Sequence, residues 1–412
     1  MGRKGCTVTK PMIRLALLLS CLLQAACASG VDERADVRAA LERYRSEVEA
    51  RYPAPRTGAD QDHALFADAL RLVLTSYVTP SNPHALVGAA VEAFKVRSIV
   101  DSGASRRVLT EAAIDGMLAS LDSYSAFLDA EHVRDLREEI QGHLAAIPDE
   151  KPAARTGNAR KPAKFRPVAY RLDGDVAHIR IRQFDDHTSR QVSDAMANMR
   201  RQSRGRLAGA VLDLRDNPGG LLEQGVKVAE LFLGTEEVVS TRGHGVGTRH
   251  YFAGPSRDPI AGLPVAVLIN GRTASAAEIV AGALQDYRRA VLFGTRSFGK
   301  GSVQTVYWLP GGEAVRLTTA RYFRPSGASV DCVGIAPDVE VAPGPSAGTQ
   351  PRTGAGVAPC SVAMAPQPAQ MWSMAALCPE ISQTAPDRPL QCAVTAIRTK
   401  RLSASVQTRE AE

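Results

Sequence analysis

The sequence predicts a layered α/β protein preceded by a helical region, and three observations predict it. From Val168 onward, short apolar runs of strand length alternate with stretches of helical length. Before Gly142 the apolar residues instead recur at i, i+3 and i+4. Between the two lies Pro148–Pro167, twenty residues with four prolines, six basic side chains and no apolar periodicity. That composition buries too little surface to fold alone and reads as an exposed linker.

The elements follow in order. Residues 32–50, 62–78 and 108–145 read as helical, and the N-terminal helical domain is set at 29–146, with the basic linker at 147–167. Val176–Ile181 alternates as a strand, and Arg190–Arg201 reads as a helix. Gly209–Leu214 is a buried strand that runs into Arg215-Asp216-Asn217-Pro218-Gly219-Gly220, and Leu221–Phe232 opens a helix. Pro264–Ile269 is a second buried strand, followed by an Asn270-Gly271 turn and an Ala-rich helix to about Asp286. Ala290–Phe293 and Ala314–Tyr322 are further strands. The α/β core spans 168–342, and 343–412 is a tail rich in Pro, Gly and Ala that reads as disordered, with a cysteine-containing last stretch expected to dock back on the core.

With 412 residues the chain is long enough for two or three domains. Its formal charge of +7 is a small excess of 50 basic over 43 acidic side chains spread along the chain. No concentrated basic patch with interleaved aromatics occurs, so nucleic acid is not an expected partner. Residues 1–28 read as an export signal. Arg3, Lys4, Lys10 and Arg14 precede an apolar run from Leu15 to Leu23, which is too short to span a bilayer. Two outcomes stay open: cleavage after Ala26-Cys27-Ala28, or lipidation of Cys27, which would tether the protein to a membrane. The expected location is the periplasm, soluble or anchored. After soluble processing Cys332, Cys360, Cys378 and Cys392 remain, enough for two disulfides in an oxidising compartment. No C-x-x-C or H-E-x-x-H pattern points to a metal.

Three segments carry chemistry. In Val265–Ile279 a buried strand turns into a helix, with Ser275 near the helix start. Free N–H groups and the positive end of the helix dipole lie there, suited to a nucleophile whose product is an oxyanion. A serine also needs a base. No G-x-S-x-G elbow and no nearby histidine supplies one, but a lysine can serve when burial depresses its pKa. Ser297-Phe298-Gly299-Lys300-Gly301-Ser302-Val303-Gln304 offers Lys300, with glycines that allow close backbone approach and Gln304 four residues on to hold the amine. The Gly219-Gly220 turn suits backbone N–H groups aimed at a substrate carbonyl.

Together these segments resemble the carboxyl-terminal processing, or tail-specific, serine peptidases. The D-L-R-x-N-P-G-G turn stands at 213–220, the helix start T-A-S-A-A-E-I at 273–279 and F-G-K-G-x-V-Q at 298–304. Ser275 precedes Lys300 by 25 residues, the family spacing. Arg316–Tyr322, Pro325–Gly327 and Gly334–Asp338 also match, as do Gly116–Asp122 and Phe127–Asp129 upstream. The resemblance covers about 62–146 and 168–340. It implies a crotonase/ClpP-like core of β-α units in which Ser275 attacks a peptide carbonyl, Lys300 takes its proton and Gln304 orients the lysine. It also implies an oxyanion hole of Ala276 N–H with Gly219 or Gly220, and Asp286 as a candidate helper. No metal or cofactor is implied, and substrates would be proteins or peptides. A homodimer through the helical region is a further expectation.

The sequence departs from the family in one large respect. Members usually carry a PDZ domain between the helices and the core, where this chain has only the basic linker. The domain is expected to be absent, so substrate would arrive by another route, such as an adaptor or activator protein. Two alternatives accompany the peptidase reading: a scaffold that keeps the fold without turnover, and an amidase or transpeptidase acting on cell-wall peptide.

Overall fold

A computed structural model of the chain describes residues 34–52, 56–135, 166–254, 262–344, 373–379, 381–382 and 385–402. The export signal with Cys27, most of the basic linker, and Cys360 lie outside the described residues. The chain divides into two compact units, one of residues 1–142 with 305–317, the other of residues 143–304 with 318–412.

The first unit holds helices α1 (34–51), α2 (Arg56–Ser76), α3 (Pro83–Val100) and α4 (Arg106–Ala119), then strand β1 (Ala126–Leu128) and helix α5 from residue 130. Tyr44, Phe66, Phe94, Leu109, Ile114 and Met117 make its apolar centre. α3 lies outside the stretches that read as helical in sequence, yet its start is well specified. Asn82 accepts hydrogen bonds from His84 N and Ala85 N, and Pro83 fills the first turn. The helix expected over 108–145 is interrupted. Asp122 accepts from Tyr124 N and Ser125 N at 2.7 Å each, and Asp115 accepts from Phe127 N. These bonds offer the backbone an alternative to the helical ladder. β1 then pairs antiparallel with residues 314–316, which explains why 305–317 joins this unit.

The second unit is a six-stranded sheet with helices on both faces. Its strands are β2 (Val168–Asp173), β3 (Val176–Ile181), β4 (Gly209–Asp213), β7 (Val265–Ile269), β8 (Val291–Gly294) and β11 (Val339–Glu340), in the order β11-β8-β7-β4-β3-β2. All neighbours run parallel except β2 against β3. The period-2 pattern divides each strand between two cores. Ala210, Leu212, Val265, Val267 and Leu292 face α6 (Thr188–Gln202), α7 (Leu222–Glu230) and α8 (Ala276–Asp286). Val211, Ala266, Leu268 and Phe293 face the opposite way. Such strands, buried on both faces, read as the continuous apolar runs seen in the sequence. Antiparallel strands β5 (Glu237–Gly243) and β6 (Gly247–Phe252) form a hairpin, and β5 pairs with the end of β10 (Ala314–Phe323), which β9 (Ser302–Trp308) also joins.

The expected docking of the tail is found. Beyond a short turn of helix, α9 (Met374–Leu377), helix α10 (Arg388–Arg398) covers the second face of the sheet with Cys392, Ala393, Ala396 and Ile397 buried. Cys378 and Cys392 form a disulfide closing fourteen residues, a constraint worth about 3 kcal/mol. Cys332 is disulfide-bonded as well.

Candidate active site

The site lies where an open parallel sheet presents its ligands, at the carboxyl ends of the strands. β4 and β7 are neighbours, and each ends in a turn into a helix. The two turns are sewn together. Thr273 Oγ1 donates to Leu214 O (2.9 Å), Asn270 and Asp216 exchange two bonds (3.0 and 2.8 Å), and Ala274 N donates to Asn217 O (2.9 Å). Asn217 is fully buried and its Nδ2 also donates to Ile181 O, anchoring the turn to β3. Arg272 lies exposed and pairs with Asp216 at 2.7 Å.

Ser275 caps α8, half-buried, with φ 56° and ψ −121°. A non-glycine residue in that region carries strain of about 1–3 kcal/mol and persists only where its surroundings dictate it. Here the dictating group is Glu278. Its fully buried carboxylate accepts from Ser275 N (2.9 Å) and Lys300 N (2.9 Å) through Oε2, and from Ser297 Oγ (2.5 Å) and Gly299 N (2.7 Å) through Oε1. Burial raises its pKa above the ordinary glutamate value, against the opposing pull of those four donors. Because Ser275 N and Lys300 N share one oxygen, the two backbones cannot stand farther apart than twice that bond length. Sequence reasoning missed this residue. Its signal was present, since a glutamate three positions after a capping serine is the capping-box pattern.

The segment bearing Lys300 is fixed on several sides. Phe298 N donates to Thr273 O (2.9 Å), Cys332 N to Gly299 O (2.9 Å) and Tyr322 N to Gly301 O (2.7 Å). A Cβ on Gly301 would stand 2.3 Å from Asp331 N, so only glycine permits this packing. Gln304, on β9, donates through Nε2 to Ser302 Oγ at 2.9 Å and lies 3.5 Å from Thr318 Oγ1.

The glycine turn stands directly against the serine. A Cβ on Gly219 (φ 105°) would lie 2.7 Å from Ser275 Cβ and 3.1 Å from Ala276 N. The Gly219 N–H is spent on Asn217 Oδ1 at 2.8 Å. Gly220 is held from its other side, where Leu221 N donates to Phe184 O and Phe184 N to Gly219 O. Among the described residues no acceptor takes the Gly220 or Ala276 N–H.

Asp286 is elsewhere. It ends α8, eleven residues from Ser275, which at a rise of 1.5 Å per residue is about 16 Å along the helix. Its carboxylate pairs with the Arg324 guanidinium and accepts from Ser326 N. The acid therefore closes a turn, and the helper role is corrected to a structural one.

A serine strained into a strand-to-helix corner, beside a turn whose Gly220 N–H finds no acceptor among the described residues, is a frame suited to mounting a nucleophile. The comparisons with known proteins agree. A model described as peptidase family S41 matches residues 175–341. The carboxy-terminal-processing protease of Bartonella bacilliformis is 36% identical over 301 residues, covering 57% of this chain and 69% of that one. The carboxyl-terminal-processing protease of a Picosynechococcus is 39% identical over 189 residues, 45% of this chain and 44% of that protein. The solved photosystem II D1 C-terminal processing protease superposes with a TM-score of 0.53 at 26% identity, over 68% of this chain and 93% of that one. The chain belongs to peptidase family S41. It is a serine peptidase, and its substrates are proteins or peptides.

Proposed function

We propose that this peptidase works by a Ser275–Lys300 dyad and acts on exported proteins, trimming or degrading them from their C-terminal regions. One observation carries the dyad: a single oxygen of Glu278 receives the backbone N–H of both residues, so the nucleophile and base segments are built on one support. In the reaction Ser275 Oγ attacks the carbonyl carbon while Lys300 takes its proton. The developing oxyanion is received by the N–H groups of Ala276 and Gly220, which no acceptor takes among the described residues, with Gly219 supplying the close approach. Lys300 then gives its proton to the leaving amine, and water releases the acyl group by the reverse sequence. Gln304 directs its Nε2 at Ser302, which leaves its Oε1 as the acceptor for the lysine amine.

Two features support an extracytoplasmic setting. The Cys378–Cys392 disulfide suits an oxidising compartment, and the first residues read as an export signal. No helix among the described residues is long and apolar enough to cross a membrane. Lipidation at Cys27 would add an anchor. Only thirty residues separate Asp135 from Arg166, below the roughly 40 that a domain with its own core needs, so delivery of substrate falls to a partner protein or to the core itself.

The test is hydrolysis of unfolded casein by the mature protein, by Ser275→Ala and by Lys300→Ala. Both variants should lose activity by about 10⁴-fold or more. A Lys300→Ala enzyme with wild-type turnover would remove the lysine from the mechanism, and equal inertness of wild type and Ser275→Ala would remove the peptidase reading.

A further inference from the structure

Arg215 opens the glycine turn, and its guanidinium is gripped from two sides. Nε and Nη2 donate to Asp213 at 2.8 and 2.7 Å, and Nη1 and Nη2 donate to Asp387 at 2.7 and 3.0 Å. Asp213 is the last residue of β4 and wholly buried, whereas Asp387 is the N-cap of α10 and comes from 172 residues away. Two-edged capture of this kind fixes the plane of a guanidinium as well as its position. Arg215 N also donates to Asp213 Oδ1, so backbone and side chain are set together at the entry to the turn.

We infer that α10 is a positioning element for the reaction: Asp387 holds Arg215, and through it the 214–220 turn that presents the Gly220 N–H. The inference rests on the assignment of that turn to the oxyanion. α10 does not need this contact to stay on the sheet. Its buried face, the Cys378–Cys392 disulfide and the pairing of Arg398 with Asp173 and Asp175 at its far end already hold it. The Arg215 contact is placed where it bears on the chemistry instead.

The experiment compares the full-length wild type with Asp387→Asn and Arg398→Ala. Asparagine caps a helix as well as aspartate does, so Asp387→Asn keeps the cap that Leu390 N uses and removes only the charge facing Arg215. Arg398→Ala breaks the ion pair at the other end of α10 and is the control for simple docking. Asp387→Asn should lower kcat on casein about tenfold with KM little changed, and should speed hydrogen exchange at the amides of 216–220. Arg398→Ala should move neither. Unchanged exchange and kcat in Asp387→Asn would overturn the inference, and so would an equal loss of kcat in Arg398→Ala. Should the wild type and Ser275→Ala prove equally inert, the peptidase reading fails, and the exchange measurement still decides the role of Asp387.

Discussion

The two turns at the active end of the sheet solve one problem in opposite ways. The turn of the proposed nucleophile places a strained, non-glycine residue, Ser275 at φ 56°, and holds it with the Glu278 carboxylate drawn from its own helix. The turn of Gly219 and Gly220 avoids strain by lacking side chains and draws its support from Asn217, Arg215 and a helix far along the chain. A nucleophile needs a fixed side chain, so strain there has to be carried. An oxyanion donor needs only its N–H, so the side chain is dispensable. The first turn is thus vulnerable to loss of a hydrogen-bond acceptor, and the second to gain of a methyl group.

That contrast can be broken in order of expected effect. Glu278→Gln should be the most damaging change outside Ser275 and Lys300. An amide places donors against the N–H groups of Ser275, Gly299 or Lys300, leaving buried groups unsatisfied at about 1–3 kcal/mol each. Turnover should fall by about 10²-fold or more, with a lowered melting temperature, as read by casein assay and calorimetry. If Glu278→Gln keeps wild-type kcat, the shared support is not what aligns the site.

Gly219→Ala should lower kcat by about 10²-fold with the fold intact, because its Cβ meets Ser275 Cβ at 2.7 Å. Circular dichroism with kinetics checks it, and an unchanged kcat with an intact fold would show that the close approach of Gly219 to Ser275 is not needed for turnover.

Asp213 gives a pH signature. Burial alone would raise its carboxyl, but hydrogen bonds from Arg215 and His178 outweigh burial and hold it well below the ordinary 3.8. A depressed acid contributes stability that is present above its unfolded value and lost as pH falls through the folded one. The difference in urea-unfolding free energy between wild type and Asp213→Asn should therefore stay constant above about pH 4 and shrink below it. A constant difference down to about pH 2 would deny Asp213 its charge-paired role. Asp286→Asn should have the smallest effect, leaving kcat within about twofold while lowering stability by about 1 kcal/mol through loss of the Arg324 pair.

The core was legible because its strands are buried on both faces and its turns carry contiguous, spaced motifs; Val265–Ile269 and Gly209–Asp213 stand within a residue of their expected bounds. The motifs that carry the proposed Ser275, Lys300 and Gln304 were legible for the same reason. Glu278 was not, since its role arises only when residues 275, 297 and 299–300 converge on one carboxylate. Asp286 misled because an acid at a helix end gives no hint in sequence of the arginine that will claim it. The interruption after α4 was hidden by local Asp side chains that compete with the helix, and the joining of 305–317 to the first unit depends on a pairing across nearly two hundred residues.

The contact between Arg215 and Asp387 also sets a clock. Chains emerge at about 5–20 residues per second, so the 172 residues between the two take on the order of ten to thirty seconds to appear. For the last 87 residues of that interval, about four to seventeen seconds, the nascent chain contains both its serine and its lysine but lacks the last carboxylate of the Arg215 grip. Synthesis itself therefore withholds the completed Arg215 grip until Asp387 has emerged.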